Sequence, residues 1–155
     1  MSDNVKGWLF VVVQFILLFL IVFSSAYEFK YYPRPLMPLV HYIGVTFILL
    51  AAMMFTVIII SFGQYMTPNP VPRDKASLKT TGFYTIVRHP MYFTVLVLML
   101  GVVLYFQAFF SLVWLPILFI FFMVKASMEE KFLKQKYPEY QAYSMHVKRI
   151  IPFIY

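Results

Sequence analysis

The chain contains no cysteine, so disulfides, thiolate nucleophiles, Cys-ligated zinc and iron–sulfur clusters are all excluded. Histidine is nearly as scarce: three residues, with no HxxxH or HExxH spacing among them, which argues against a protein metal site. Charge is thin as well. Lys, Arg, Asp and Glu make up 12 % of the chain and hydrophobic residues 62 %, with a mean hydropathy of +0.78. A soluble domain holds roughly a quarter charged and half apolar residues. This balance belongs to an integral membrane protein, and 155 residues make a single domain, 1–155, with no length left for a separate soluble module. Internal repeats, low-complexity tracts and glycine-rich turns are absent too.

What is present is four apolar segments, about Trp8–Tyr27, Leu39–Phe62, Tyr92–Phe106 and Phe109–Ala126. A span needs about 20 helical residues. The third is short, but Phe93–Val124 is one uncharged stretch, too long for one crossing and suited to a helical hairpin turning at Gln107-Ala108. Pro33–Pro38 and Pro68–Pro72 carry spaced prolines that break helices and read as loops. The expected fold is all-α: a polytopic membrane protein of about four transmembrane helices, spans three and four forming the hairpin, with a cytoplasmic C-terminal helix. Leu9–Phe23 followed by Ser24-Ser25-Ala26 has a signal-peptide look, but Lys6 alone is a weak positive region, and a retained first span is expected.

Lys6, Arg73, Lys75, Lys79, Arg88, Lys125, Lys131, Lys134, Lys136, Lys148 and Arg149 fall on one side of this arrangement, and Lys30 and Arg34 on the other. The positive-inside rule then puts both termini in the cytoplasm. The net charge of +7 anchors the protein to lipid head groups; the charges flank spans and form no basic domain, so nucleic-acid binding is not expected.

Between the apolar runs lies a polar island, Thr81-Gly82-Phe83-Tyr84-Thr85-Ile86-Val87-Arg88-His89-Pro90-Met91-Tyr92. Ionisable groups at a membrane boundary are functional candidates by default. Gly82 suits a turn needing positive φ or close backbone approach, and Pro90 suits the first turn of a helix. Arg88 and His89 then sit at a helix N-terminus, where unpaired N–H groups favour an anionic ligand group. Arg88 offers a guanidinium fork, His89 a donor or acceptor, and Tyr84 and Tyr92 flat faces with a polar tip. Set against this, Arg88 snorkelling to lipid phosphates and His89 capping a helix is an equally ordinary arrangement. A second cluster, Lys125 with Glu129-Glu130, follows the fourth span, and Lys125 shares a helical face with Glu129. By itself that is an ordinary solvated i,i+4 pair. Together the clusters match a zwitterionic amino-acid head, ammonium to Glu and carboxylate to Arg or backbone N–H.

Gly82-Phe83-Tyr84 followed by Val87-Arg88-His89-Pro90-Met91-Tyr92 resembles the G-x-Y…V-R-H-P-x-Y signature of the isoprenylcysteine carboxyl methyltransferase family. Glu129-Glu130-x-x-Leu133, then Tyr137-Pro138-Glu139-Tyr140-x-x-Tyr143, Val147 and Ile151-Pro152-Phe153, is similar to that family's tail. Asn69-Pro70-x-Pro72 and Leu78-x-Thr80-Thr81 also fit, so the resemblance covers about residues 64–155. It implies a membrane-embedded methyltransferase using S-adenosylmethionine, of the short prokaryotic type and so in the inner membrane of a prokaryote. Tyr84, His89, Pro90, Met91 and Tyr92 would line the cofactor pocket, Glu129 would hold the cofactor's polar end, and Leu78 and Lys79 would contact it. Arg88, His89 and Glu130 are the candidate catalytic residues. Lys125 stands where eukaryotic members place a substrate-recognising Arg, Ala76 where they carry His, and Pro138 where Gly is usual. The acceptor would be a lipophilic or small molecule, possibly an isoprenylcysteine-like carboxylate. Phospholipid N-methyltransferase, thiol S-methyltransferase, NADPH-dependent membrane reductase and non-enzymatic adaptor are the alternatives. The oligomeric state is open.

Overall fold

The computed structural model describes residues 2–62, 67–71 and 77–154. Pro72, Arg73, Lys75 and Ala76, which the sequence singles out, lie outside the described residues. The fold is all-helical: α1 (Asp3–Tyr31), α2 (Pro38–Phe62), α3 (Pro90–Tyr105), α4 (Trp114–Lys136) and α5 (Tyr140–His146), with short 3₁₀ turns at Gly82–Thr85 and Phe110–Val113. Three helices are long and apolar enough to cross a membrane, and α3 is a shorter apolar one.

Local chemistry explains most of the boundaries. α1 carries Asp3 in its first turn and Lys30 in its last, each favourable to the helix dipole, and meets no proline before Pro33. It therefore runs beyond the expected Trp8–Tyr27. Pro90 begins α3 as its first helical residue, with His89 as the flanking cap. Gln107 takes the hairpin turn at φ 53°, and its amide accepts from Met37 N–H at 3.0 Å and donates to Met37 O at 3.1 Å, tying the turn to the start of α2. Gly82 has φ 64° with no atom within 4 Å of where a Cβ would stand, so the dihedral and not crowding calls for glycine.

One expectation is corrected. Glu129 and Glu130 do not follow the fourth span; they ride on α4 itself, which continues to Lys136 because no Pro or Gly stands between Ala126 and Pro138. The loop connections bring like ends together. Asn69 Nδ2 donates to Asn4 Oδ1 (2.9 Å) at one end of the bundle. At the other, Glu28 accepts from the N–H groups of Phe110 and Ser111 and pairs with Arg34 at 3.3 Å. The N-terminus, the Arg88–His89 segment and the tail thus share one end.

α2 packs chiefly on α3, backbone against backbone. A Cβ on Gly44 would stand 2.4 Å from Tyr105 N, and one on Gly101 would stand 2.9 Å from Ile48 N. Small residues that allow close approach hold helices together where lipid removes the hydrophobic drive. The core between α1, α3 and α4 is filled by Ile21, Met99, Val103, Leu118 and Phe122, while Phe19, Leu49, Ile60 and Ile120 face outward, as lipid contact requires.

Candidate active site

The turn Gly82–Thr85 and the start of α3 deliver the polar island against the last turns of α4. The tail holds it there. Arg88 N–H donates to Lys148 O (2.8 Å) and His89 N–H to Arg149 O (3.0 Å), so residues 148–149 run beside 88–89 as a short strap. The Tyr143 hydroxyl donates to Tyr84 O, fixing α5 to the same turn.

Glu130 is the node behind this arrangement. Its Oε1 accepts from Arg88 Nε (2.9 Å) and Arg149 Nε (3.2 Å) and lies 3.1 Å from His89 Nε2; its Oε2 accepts from Arg149 Nη2 (2.9 Å). Arg88 Nη1 donates to the carbonyls of Ser144 and Val147. The Arg88 fork expected to face a ligand is thus largely turned inward, onto Glu130 and the tail. Arg149 has the same place in the network but sits in a basic tail, 19 residues from Glu130, at no helical spacing that would flag it.

Glu129 faces the other way. Its Oε2 accepts from the Tyr92 hydroxyl (2.7 Å) and stands 3.4 Å from His89 Nδ1, and among the described residues no bond engages its Oε1. Both ring nitrogens of His89 therefore meet a carboxylate. Burial opposes a charge on this ring, but Glu129 and then Glu130 outweigh it, and the His89 pKa is raised above 6.5. His89 stacks on Tyr92 (5.2 Å between centroids), which stacks on Phe122 (4.7 Å). Burial, then Glu129 and Tyr143, push the Tyr84 hydroxyl well above its ordinary value; burial pushes Tyr143 up to about 12. These phenols stay neutral donors.

In front of this cluster opens a cavity of about 540 Å³. Leu78, Lys79, Tyr84, Arg88, His89, Pro90, Met91, Tyr92, Lys125 and Glu129 all line it, while Glu130 stands outside its wall. Lys125 does not pair with Glu129 as its spacing suggests: its Nζ donates to Gln14 Oε1 and lies 5.5 Å over the Tyr92 ring. Gln14, a lone amide in the apolar run of α1, also lines the cavity; it is absent from the sequence-derived candidates, and its polarity inside a span is the signal that marks it. Away from the polar cluster the wall turns apolar, with Phe15 and Leu18 of α1, Phe55 of α2 and Val95 and Leu98 of α3. Among the described residues no cluster of His, Asp and Glu could hold a metal ion.

A family model described as phospholipid methyltransferase matches residues 39–140. The motif resemblance drawn from the sequence leads to the same group of integral membrane methyltransferases. No curated protein and no solved structure matches the chain.

Proposed function

This chain belongs to the phospholipid methyltransferase family, and from that premise we propose that it moves a methyl group from S-adenosylmethionine to an acceptor reaching the site from the bilayer. The observation carrying this reading is the cavity wall, polar at the tail-strapped end and apolar between α1, α2 and α3. One cavity then serves a polar nucleoside cofactor and an amphipathic acceptor.

The residues present fit the cofactor. Among the described residues Glu129 Oε1 is an unengaged carboxylate oxygen suited to an ammonium, and Met91 N–H, one residue into α3, has no acceptor one turn back and suits a carboxylate. Tyr84 and Tyr92 supply aromatic faces to the same space. Bound there, S-adenosylmethionine supplies an electrophilic methyl group on a sulfonium with its leaving group built in. Orientation and exclusion of water are then the protein's part, worth roughly 7–11 kcal/mol of barrier. His89 and Tyr92 fix the Glu129 carboxylate, and Glu130 fixes His89. Arg88 and Glu130 act as positioning residues rather than reacting groups.

A carboxylate acceptor needs no base. N-methylation of a phospholipid head, which the family's description favours, requires the amine to lose its proton. His89 is the titratable ring at the cavity, and in its neutral form it would take that proton, leaving Glu129 to the cofactor's ammonium. The experiment is transfer of radiolabelled methyl from S-adenosylmethionine, with purified protein in phosphatidylethanolamine vesicles. Label in the lipid extract that depends on Glu129 supports the reading. Cofactor binding with no label entering lipid or added amphiphiles overturns it.

A further inference from the structure

Lipid contact accounts for the outward apolar side chains of the spans, but Met145, Phe153 and Ile154 lie outside every helix long enough to cross a membrane. They are 72 %, 85 % and 74 % exposed, and among the described residues no large apolar side chain is more exposed than Phe153. Exposed apolar groups gathered on one segment mark a surface that meets something other than water. The strap fixes their depth. Arg88 and His89 N–H donate to the carbonyls of Lys148 and Arg149, which holds the tail level with Pro90, where the apolar α3 begins. Ile150 is fully buried in the same core as Phe122 and Ala126 of α4, and Ile151 packs against that core. The chain then turns back on itself: Ile154 N–H donates to Ile151 O (3.3 Å), with Phe153 at φ 64°. A chain covers at most about 3.6 Å per residue, so Phe153 stands within roughly 11 Å of buried Ile150. The exposed end thus stays at the membrane boundary.

Charge says which surface it meets. From residue 131 onward the chain carries Lys131, Lys134, Lys136, Lys148 and Arg149 against Glu139 alone, so its partner is anionic. Arg149 is committed to Glu130. Lys131, Lys134 and Lys148 are exposed, and among the described residues none of the three enters an ion pair. Apolar side chains beside free ammonium groups suit the interface of a bilayer with acidic lipids, the former at the acyl boundary and the latter on the head groups.

We propose that the C-terminal turn is an anchor for an anionic lipid surface. Met145, Phe153 and Ile154 enter the interface of the surrounding bilayer, Lys131, Lys134 and Lys148 meet the phosphates of acidic lipids, and this contact holds the strap on Arg88 and His89. The surface charge of the membrane then sets how firmly the polar site is fastened from behind.

The chain has no cysteine, so I154C carries a single environment-sensitive fluorophore. The labelled protein is placed in nanodiscs of phosphatidylcholine, with and without phosphatidylglycerol, and with spin-labelled lipid as quencher. Phosphatidylglycerol should shift the emission to the blue and strengthen quenching by lipid. Each Lys near such a surface contributes about a fivefold preference, so the triple variant K131Q/K134Q/K148Q should lose the response. F153S should weaken quenching in both lipids. The substituted side chains are exposed, and the variants should keep the wild-type unfolding midpoint in detergent. Amide exchange at Arg88 and His89, followed by mass spectrometry on unlabelled protein, should slow with phosphatidylglycerol in wild type and stay unchanged in the triple variant. A label exposed to water in phosphatidylglycerol discs would overturn the proposal. So would identical emission in the two lipids, or exchange at residues 88–89 that is indifferent to lipid charge. Neither cofactor nor methyl transfer enters these readouts, so their outcome is separate from that of the methyltransferase reading.

Discussion

At the scale of single residues, two adjacent glutamates on one helix have separate tasks. Glu130 takes hydrogen bonds from Arg88 and Arg149 and faces His89, with its side chain 9 % exposed. Removing one member of a buried ion pair costs about 3–5 kcal/mol, because the partners are left uncompensated. Glu130→Gln should therefore lower the unfolding midpoint markedly, read by thermal unfolding in detergent; a midpoint equal to wild type would contradict the network. His89 adds a pH dependence. Its folded pKa lies above the 6.5 of an exposed ring, so its stabilisation is complete below 6.5 and is lost as pH rises through the raised value. Wild type should lose thermal stability above pH 6.5, and His89→Asn should show a flatter profile over the same range. Parallel profiles would mean that His89 is not held as the cation.

At the scale of elements, the hydrophobic runs and the prolines were legible because bilayer thickness and missing N–H groups act locally. The hairpin turn at Gln107-Ala108 and the start of α3 at Pro90 follow from those signals. The end of α4 did not, because hydropathy marks where apolar surface stops and not where a helix stops. The helix carries on through Lys125–Lys136 until Tyr137 turns extended before Pro138. Pairings across the fold were hidden for a different reason: Gln14 with Lys125 joins residues 111 apart, and Arg149 with Glu130 depends on how the tail folds back. Gly44 and Gly101 carry no periodic signal, yet the α2–α3 contact rests on them. Gly101→Leu should separate the two helices, since the new side chain meets Ile48 and Gly44 backbone at 2.9–3.0 Å. Overpacking of this kind costs typically 1–3 kcal/mol, and more against backbone. Retention of full stability, measured by unfolding in detergent, would show that the helices are not in backbone contact.

At the scale of the molecule, the polar site occupies the end shared by the N-terminus, the Arg88–His89 segment and the tail. That end also holds most of the Lys and Arg residues, so the charge asymmetry predicts that it faces the cytosol. The absence of cysteine makes single-Cys labelling clean. An impermeant reagent on intact cells should miss a Cys at Ser2 and reach one at Pro35, and the reverse pattern would invert the orientation. A cytosolic face is also where a water-soluble cofactor would arrive, and the proposed acceptor would enter between helices.

The proposed function requires that the cavity before His89 and Glu129 hold a methyl-donor cofactor. Calorimetric titration of S-adenosylhomocysteine into the purified protein in nanodiscs, wild type against Glu129→Gln, tests it most directly. One saturable site is expected in wild type. Glu129→Gln, losing a charged hydrogen bond worth about 1.5–3 kcal/mol, should bind roughly tenfold to a hundredfold more weakly. No binding to wild type, or equal affinity in Glu129→Gln, would contradict it.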